Sequence, residues 1–384
     1  MQNVKQLVAE VLNEAADALA TGRIGARVKV GITVLGSEHG PQEVLAGAEA
    51  AQRRLPDVEV VVIGPADLAT SLTKVIISDE AAGHAAMDRL LDSGELAAAV
   101  TMHYNFPIGT STVGLVVTPG RGQKMFIATT TGTSSADRVE GMVRNAVYGI
   151  AAAKAFGIAD PTVGILNVDG ARQVERILTE LKSRGYNLNF VASSRGDGGV
   201  VMRSNDLLAG TPEVMVCDSL TGNLLIKILA AYTTGGNYES LGYGYGPGVG
   251  EGYGKIINII SRASGAPLIA GAIEYAAAMA KGNLVATAQQ EIAQAKKAGL
   301  EEIARPKKEP PATAPAAAPP KKIVSKQIAG IDVLDLENAQ QLLWSKAVYA
   351  ETGMGCTGPI ILVAPEDLDN SLNILIDNKI ITGK

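Results

Sequence analysis

The sequence predicts an α/β protein: a two-subdomain body built on a mainly parallel sheet, followed by a small tethered α/β unit. Three observations carry this. Short apolar runs alternate with stretches of helical length from about residue 28 to residue 304, and βαβ alternation gives parallel strands with right-handed crossovers. The 384 residues are 47% apolar but only 4% aromatic, so the core must be Ala, Val, Leu and Ile, which suits strands covered on both faces. The run Arg305–Lys322 then breaks the rhythm; six of its eighteen residues are Pro, and no core can be made from it. The expected organisation is a body over 1–304, a linker over 305–322 and a small Cys-bearing domain over 323–384.

In order, Val4, Leu7, Val8, Val11, Leu12, Ala15 and Leu19 recur at helical spacing and predict an opening amphipathic helix. Val28–Val34 reads as a strand, and Pro41–Arg54 as a helix with Pro in its first turn. Val58–Ile63, Ala97–Thr101 and Met125–Ala128 are further strands, with a helix at Asp79–Asp92. The uncharged run Leu96–Gly120 has membrane length, but Asn105, Pro107, Pro119 and its Thr and Gly make it strand–loop–strand. Asp137–Phe156 is a long Ala-rich helix, followed by strand Thr162–Leu166, helix Ala171–Arg184, strand Val214–Val216 and helix Leu224–Tyr232.

Between Gly235 and Gly254 nine of twenty residues are Gly, interleaved with Tyr238, Tyr243, Tyr245 and Tyr253. This reads as a mobile loop, either a plain connection or a lid with aromatic handles. Helices are expected again at Lys255–Ser264, Leu268–Lys281 and Thr287–Ala304. Extended at ~3.1 Å per residue, the linker would reach roughly 55 Å. Beyond it, a helix over Asp335–Glu351, a strand at Ile360–Val363 and a helix over Pro365–Asn378 are expected.

The net charge of −5 and pI near 5.4 leave no broad basic surface, which argues against nucleic acid as a partner. Glu10, Glu14 and Asp17 in the first helix exclude a signal-peptide core, so a cytoplasmic location is expected, with no membrane contact. Cys217 and Cys356 are too few for a disulfide framework, and with His39, His84 and His103 they form no zinc pattern. Gly353-Met-Gly-Cys-Thr-Gly358 fits the G-x-G-x-x-G spacing, but a helix precedes it and a strand follows, the reverse of what a dinucleotide site needs. No phosphate-binding loop ending in Gly-Lys-Ser/Thr is present, and no cofactor or metal is expected.

Cys356, flanked by three glycines and a proline, reads as a thiol on a turn: a nucleophile and acyl carrier, or a small core residue. The hydroxyl-rich run Thr129–Ser135 precedes a long helix; Thr131, Gly132, Thr133 and Ser134 are either a phosphate cradle or an ordinary capping cluster. Cys217-Asp-Ser-Leu-Thr-Gly-Asn223 follows a strand and opens a helix, where ligands bind in such sheets.

Gly36-Ser-Glu-His-Gly-Pro41 resembles the early G-G-D-H-G-P segment of the bacterial phosphate acyltransferases of phospholipid synthesis. Cys217-Asp-Ser-Leu-Thr-Gly-Asn-Leu-Leu-Ile-Lys227 resembles their C-D-G-F-T-G-N-V-x-L-K, and Asp160–Asn167 their P-x-V-x-L-L-N. The likeness spans about 28–304. It implies a fold similar to isocitrate/isopropylmalate dehydrogenases and phosphotransacetylases, and conversion of an acyl thioester and phosphate to an acyl phosphate. Glu38 replaces the family's Asp, Ser37 a Gly and Ser219 the Gly of C-D-G, so the family's acyl pocket does not carry over unchanged; a two-carbon acyl group needs no long apolar channel.

The linker and Met354-Gly-Cys-Thr-Gly-Pro359 lie outside that pattern. The whole chain resembles the alpha subunits of component C of glycine/sarcosine/betaine reductase complexes. That resemblance implies that a carboxymethyl group on the selenocysteine of selenoprotein A is resolved to an acetyl thioester, that Cys356 holds this acetyl group, and that phosphate releases it as acetyl phosphate. It implies as partners the component C beta subunit, selenoprotein A and phosphate, within an oligomer. The phosphate-site candidates are Thr131, Gly132, Thr133, Ser134, Asn223 and Lys227. His39 either polarises phosphate or carbonyl, or only orders its loop. The competing expectations are a stand-alone phosphate acyltransferase using a soluble thioester, and a non-catalytic scaffold.

Overall fold

A computed structural model describes residues 11–12, 15–16, 27–195, 199–304, 316–332, 335–355 and 358–381. Most of the expected opening helix and most of the linker therefore lie outside the described residues. The chain runs β1 (Val28–Thr33), α1 (Pro41–Arg54), β2 (Val58–Gly64), β3 (Thr73–Ile76), α2 (Glu80–Asp92), β4 (Ala98–Thr101), β5 (Thr110–Val117), β6 (Lys124–Gly132) and α3 (Arg138–Ala155). It continues through β7 (Thr162–Leu166), α4 (Ala171–Ser183), β8 (Asn189–Phe190), β9 (Val201–Met202), α5 (Ser204–Ala209), β10 (Val214–Val216) and α6 (Ser219–Ala231). Then come β11 (Gly246–Gly250), β12 (Ile257–Ile259), α7 (Ala266–Lys281), α8 (Leu284–Lys297) and α9 (Leu300–Ile303). The C-terminal part holds β13 (Lys326–Ala329), α10 (Leu336–Ser345), β14 (Ala350–Gly355), β15 (Gly358–Val363) and α11 (Leu368–Asp377).

Twelve strands form one sheet in the order β3-β2-β1-β4-β12-β11-β5-β6-β10-β7-β8, with β9 paired to β7. The expected parallel α/β sheet is present, and its two sides have opposite polarity. β3, β2, β1, β4 and β12 are mutually parallel, as are β6, β10, β7 and β8. Between the two groups three successive pairings, β12–β11, β11–β5 and β5–β6, are antiparallel. The two parallel groups therefore run in opposite directions, and their carboxyl ends lie on opposite edges of the sheet.

The core is aliphatic, as the composition requires. Val30, Ile32, Val60, Val62, Val100, Val163, Ile165, Val214 and Val216 are all fully buried in the strands. A strand covered on both faces needs no alternation, and β4 and β10 are buried at every position. α3 fits the same logic: Ala146, Ala151, Ala152 and Ala153 are fully buried, so the helix packs closely on β6 and β10.

Four expectations are corrected. The segment 235–254 is not a mobile loop throughout: Gly246–Gly250 is a buried strand in the middle of the large sheet. Glycine there allows neighbours to approach where a side chain would stand. A Cβ on Gly246 would lie 1.6 Å from the Val113 carbonyl oxygen, on Gly248 2.4 Å from the Phe106 ring, and on Gly250 2.5 Å from the Thr110 hydroxyl. Lys255–Ser264 is not a helix; Ile257–Ile259 is β12, because parallel pairing with β4 decides an apolar run too short to choose for itself. Thr287–Ala304 is two helices broken at Gly299, whose φ is +97°. Asp335–Glu351 is helical only to Ser345; Ala350–Gly355 leaves the helix to pair with β15.

The C-terminal part has its own three-stranded antiparallel sheet, β13-β15-β14, and its own apolar cluster of Ile328, Ile331, Leu343, Val348, Ile361, Val363 and Leu375. Among the described residues no helix is long and apolar enough to cross a membrane.

Candidate functional site

The reversed polarity gives two places where loops gather at carboxyl ends of strands, and α6 links them. It starts just after β10 at one edge and packs back over β6 and β5. Ser219 and Lys227 are eight residues apart, about 12 Å along the helix axis at 1.5 Å per residue.

At the β6–β10 edge lies a pocket of about 250 Å³ lined by Gly132, Thr133, Ser134, Ser135, Asp137, Arg138, Asn145, Asp218 and Ser219, among others. Two helices begin there. Asp137 caps α3 by accepting from the Glu140 N–H at 2.8 Å, and Asp218 caps α6 by accepting from the Thr221 N–H at 3.0 Å. Such caps satisfy first-turn donors that have no partner within the helix. Arg138 donates to Asp218 at 3.0 Å and faces Asp169 at 3.8 Å, so its charge is taken up within the pocket wall. Burial pushes the Asp218 carboxyl up, but the hydroxyl and N–H of Thr221 together with Arg138 outweigh it and hold the group below the ordinary aspartate range.

Behind the wall a buried network fixes the loop. Asn145 accepts from Ser134 at 2.7 Å and from Ser111 at 3.2 Å, and donates to the Cys217 carbonyl at 3.0 Å. Gly132 has φ +81°, and a Cβ on it would stand 2.5 Å from the Thr110 carbonyl oxygen. Gly222 of α6 is tighter still, at 1.7 Å from the Thr129 carbonyl oxygen for a Cβ. These two glycines bring the loop and the helix start together around the pocket.

The structure thus places Gly132, Thr133 and Ser134 together. Thr131 is within β6, its carbonyl accepting from the Thr129 and Thr112 hydroxyls, and it is not among the pocket's lining residues. Part of the hydroxyl cluster serves to cap: the Ser135 hydroxyl donates to Glu140 and accepts from the Asp137 N–H.

Asn223 is exposed on the second turn of α6, between the two edges. Lys227 belongs to the far edge. Its ammonium donates to Glu239 at 3.1 Å and to the Ser261 hydroxyl at 3.4 Å. Glu239 is 1% exposed and also accepts from the Tyr245 hydroxyl at 3.1 Å. Its backbone is held on both sides, by the Ala263 carbonyl and the Gly265 N–H. Burial, then the neighbouring Glu239, pushes the Tyr245 phenol well above its ordinary range, so it stays a donor. His39 is exposed in the loop after β1, edge-on to Tyr238 at 6.0 Å between ring centroids, and its backbone N–H donates to the Ser37 hydroxyl. The candidate residues therefore form two groups: Gly132, Thr133 and Ser134 at the pocket, and Lys227 and His39 at the opposite carboxyl edge.

The two cysteines differ. Cys217 is fully buried with its sulfur 3.6 Å from the Thr129 carbonyl oxygen; burial, then Asp218, pushes its thiol far above the ordinary range, so it is held as an unreactive thiol. Cys356 lies outside the described residues; the strands on either side of it pair up to Gly355 and Gly358. Among the described residues no group of three His, Cys, Asp or Glu is placed to hold a metal.

Sequence reasoning missed Asn145, Arg138 and Glu239. Asn145 had a signal, a lone amide within the Ala-rich stretch of α3. Glu239 had none, because the segment that carries it read as a loop, and Tyr245 stood out there only as an aromatic handle.

A parallel-stranded α/β body with a hydroxyl-rich pocket where two helices start defines a class, and the chain belongs to the fatty acid synthesis protein family, whose pattern it matches over residues 28–362. More particularly, it is 53% identical over 99% of its length to the whole of a glycine/sarcosine/betaine reductase complex component C subunit alpha from Peptoclostridium acidaminophilum. It is 28% identical over 53% of its length, and 68% of the relative's, to a phosphate acyltransferase from Azorhizobium caulinodans. The resemblance to both groups expected from the sequence is borne out. Among solved structures the chain is similar to the EutD phosphotransacetylase from Staphylococcus aureus, at 14% identity and a TM-score of 0.42, covering 71% of this chain and 98% of that one.

Proposed function

We propose that the chain is the acetyl-transferring subunit of a glycine/sarcosine/betaine reductase complex and that it forms acetyl phosphate. The observation that carries this reading is the full-length 53% identity to a component C alpha subunit, which extends through the small C-terminal unit. The phosphate acyltransferase relatives support acyl transfer to phosphate as the chemistry of the body.

In this reading the Cys356 thiolate attacks the carbonyl of an acetyl donor, the donor's bond to the acetyl carbon breaks, its leaving group departs with the electron pair, and the acetyl group stays on sulfur as a thioester. A phosphate oxygen attacks the thioester carbonyl, the C–S bond breaks, and acetyl phosphate leaves while the thiolate is regenerated and reprotonated. No electrons are exchanged in this step. Gly132, Thr133 and Ser134 supply the phosphate cradle, with Thr131 shaping the strand end behind it. Asn223 lies further along α6, and Lys227 and His39 stand at the far edge, apart from that cradle, so in this reading they do not hold its phosphate. Water must be kept out, because hydrolysis of the thioester would waste its free energy. The component C beta subunit and selenoprotein A are the protein partners, in a cytoplasmic oligomer, and the reaction needs no cofactor or metal.

The test is mass spectrometry of the complex after turnover without phosphate. An acetyl adduct on the Cys356 peptide is expected, and its absence overturns the mechanism. Cys356→Ala should abolish arsenate-dependent hydrolysis of an acetyl thioester. Full activity in that variant would favour a stand-alone acyltransferase working on a soluble thioester, the reading suggested by relatives that match only 53% of the chain. Loss of assembly alone would favour a scaffold.

A further inference from the structure

The body and the C-terminal unit have separate apolar cores, and among the described residues polar contacts join them at the first turns of α4. Arg176 is the centre of this contact. One guanidinium nitrogen donates to Asp335 at 2.6 Å and the other to the Ile380 carbonyl at 2.7 Å, so a single planar side chain grips the start of α10 and the segment after α11. Gln173, one turn earlier, donates to the same Asp335 carboxylate at 3.3 Å. The pair is neither buried nor free: the Arg176 and Asp335 side chains are 23% and 20% exposed.

The position of this grip matters. α4 starts at the carboxyl end of β7, on the same sheet edge as the pocket. Asp169, two residues before α4, faces the pocket's Arg138 at 3.8 Å, and a Cβ on Gly170 would touch Val139 of α3 at 3.0 Å. The unit is therefore held on a helix that starts at the pocket's edge of the sheet, not at the edge of Lys227.

We infer that Arg176 is a releasable latch through which the body binds its own C-terminal unit on the helix that starts at the sheet edge of the Gly132–Ser134 pocket. A polar clasp suits release. A charge-assisted fork is directional and fixes one orientation, yet an ion pair that still reaches solvent is weakened by salt. No large apolar surface has to be wetted when it opens, since each core is closed on itself. The latch gives the proposed acyl-carrying unit a resting place on its own chain; the interpretation of that place as a delivery position rests on the function proposed above, whereas the latch itself does not.

Methyl relaxation by NMR on the full chain tests it. Ile328, Ile331 and Ile361 report on the unit and Ile32 and Ile150 on the body, all being buried. In the wild type both sets should tumble together. Arg176→Ala and Asp335→Asn should each sharpen the unit's methyl lines several-fold and leave the body's unchanged, and raised salt should shift the wild type in the same direction. Joint reversal, Arg176→Asp with Asp335→Arg, should restore common tumbling. The latch is refuted by a unit that tumbles freely in the wild type, or by one that stays locked in both single variants. This experiment does not read acyl chemistry, so a missing adduct on Cys356 leaves the latch standing, and a missing latch leaves the adduct test untouched.

Discussion

The two ends of α6 handle charge in opposite ways. At its start, carboxylates cap helices, hydroxyls and an amide form a closed network, and the one nearby guanidinium is shared between Asp218 and Asp169. Eight residues on, a nearly buried carboxylate is balanced by one lysine that is 56% exposed. The first end is held by many small, mutually satisfied hydrogen bonds, the second by one ion pair whose loss strands a charge. The difference teaches where the molecule is robust: the pocket end should yield gradually to substitution and the lysine end abruptly.

The largest effect tests the element common to both. Gly222→Ala should cost more than about 3 kcal/mol, because its Cβ would meet backbone at 1.7 Å and α6 would have to leave β6. A large drop in the urea midpoint is the expected readout; a tolerated alanine would mean that α6 does not rigidly tie the two ends together. Next, Lys227→Met should cost about 2 kcal/mol, below the 3–5 kcal/mol of a fully buried pair, since Glu239 keeps only the Tyr245 hydroxyl. Glu239→Gln in the same background should recover part of that loss in thermal unfolding, and no recovery would remove the contrast between the ends.

Ser134→Ala should cost about 1 kcal/mol, as Asn145 keeps its bond from Ser111. The smallest effect is in pH. Asp218 titrates below the ordinary aspartate range in the folded protein, so its contribution is complete above the unfolded value of about 3.9 and is lost as pH falls through the lower folded value. In a stability profile, Asp218→Asn should therefore show a shallower loss below about pH 4 than the wild type. Identical slopes would mean that the cap and the Arg138 contact do not depend on charge.

Much of this was legible in sequence because period and punctuation are local. Val28–Thr33, Pro41–Arg54 and Arg138–Ala155 were readable from apolar runs, a first-turn proline and a capping aspartate. The hydroxyl loop and the Asp218 helix start were readable as neighbours of strand ends. That the two parallel groups run opposite ways was not, since polarity is set by pairings between strands far apart in the chain, such as β11 with β5. For the same reason Lys227 seemed to belong with Ser134, when helix geometry carries it to the other edge. The run around Ile257–Ile259 lacked enough length to declare its period, and β4 settled it.

The glycine strand β11 has a consequence for how this protein can vary. Low compositional complexity usually marks a stretch that tolerates drift. Here every base change in a glycine codon that alters the residue introduces a Cβ or a stop, and at Gly246, Gly248 and Gly250 that carbon would meet a carbonyl, a ring or a hydroxyl within 2.5 Å. The plainest text in the chain is thus among its least editable: a saturation library should recover almost nothing but the parental residue at these three positions, while the neighbouring exposed Tyr232 and Tyr238 accept many replacements.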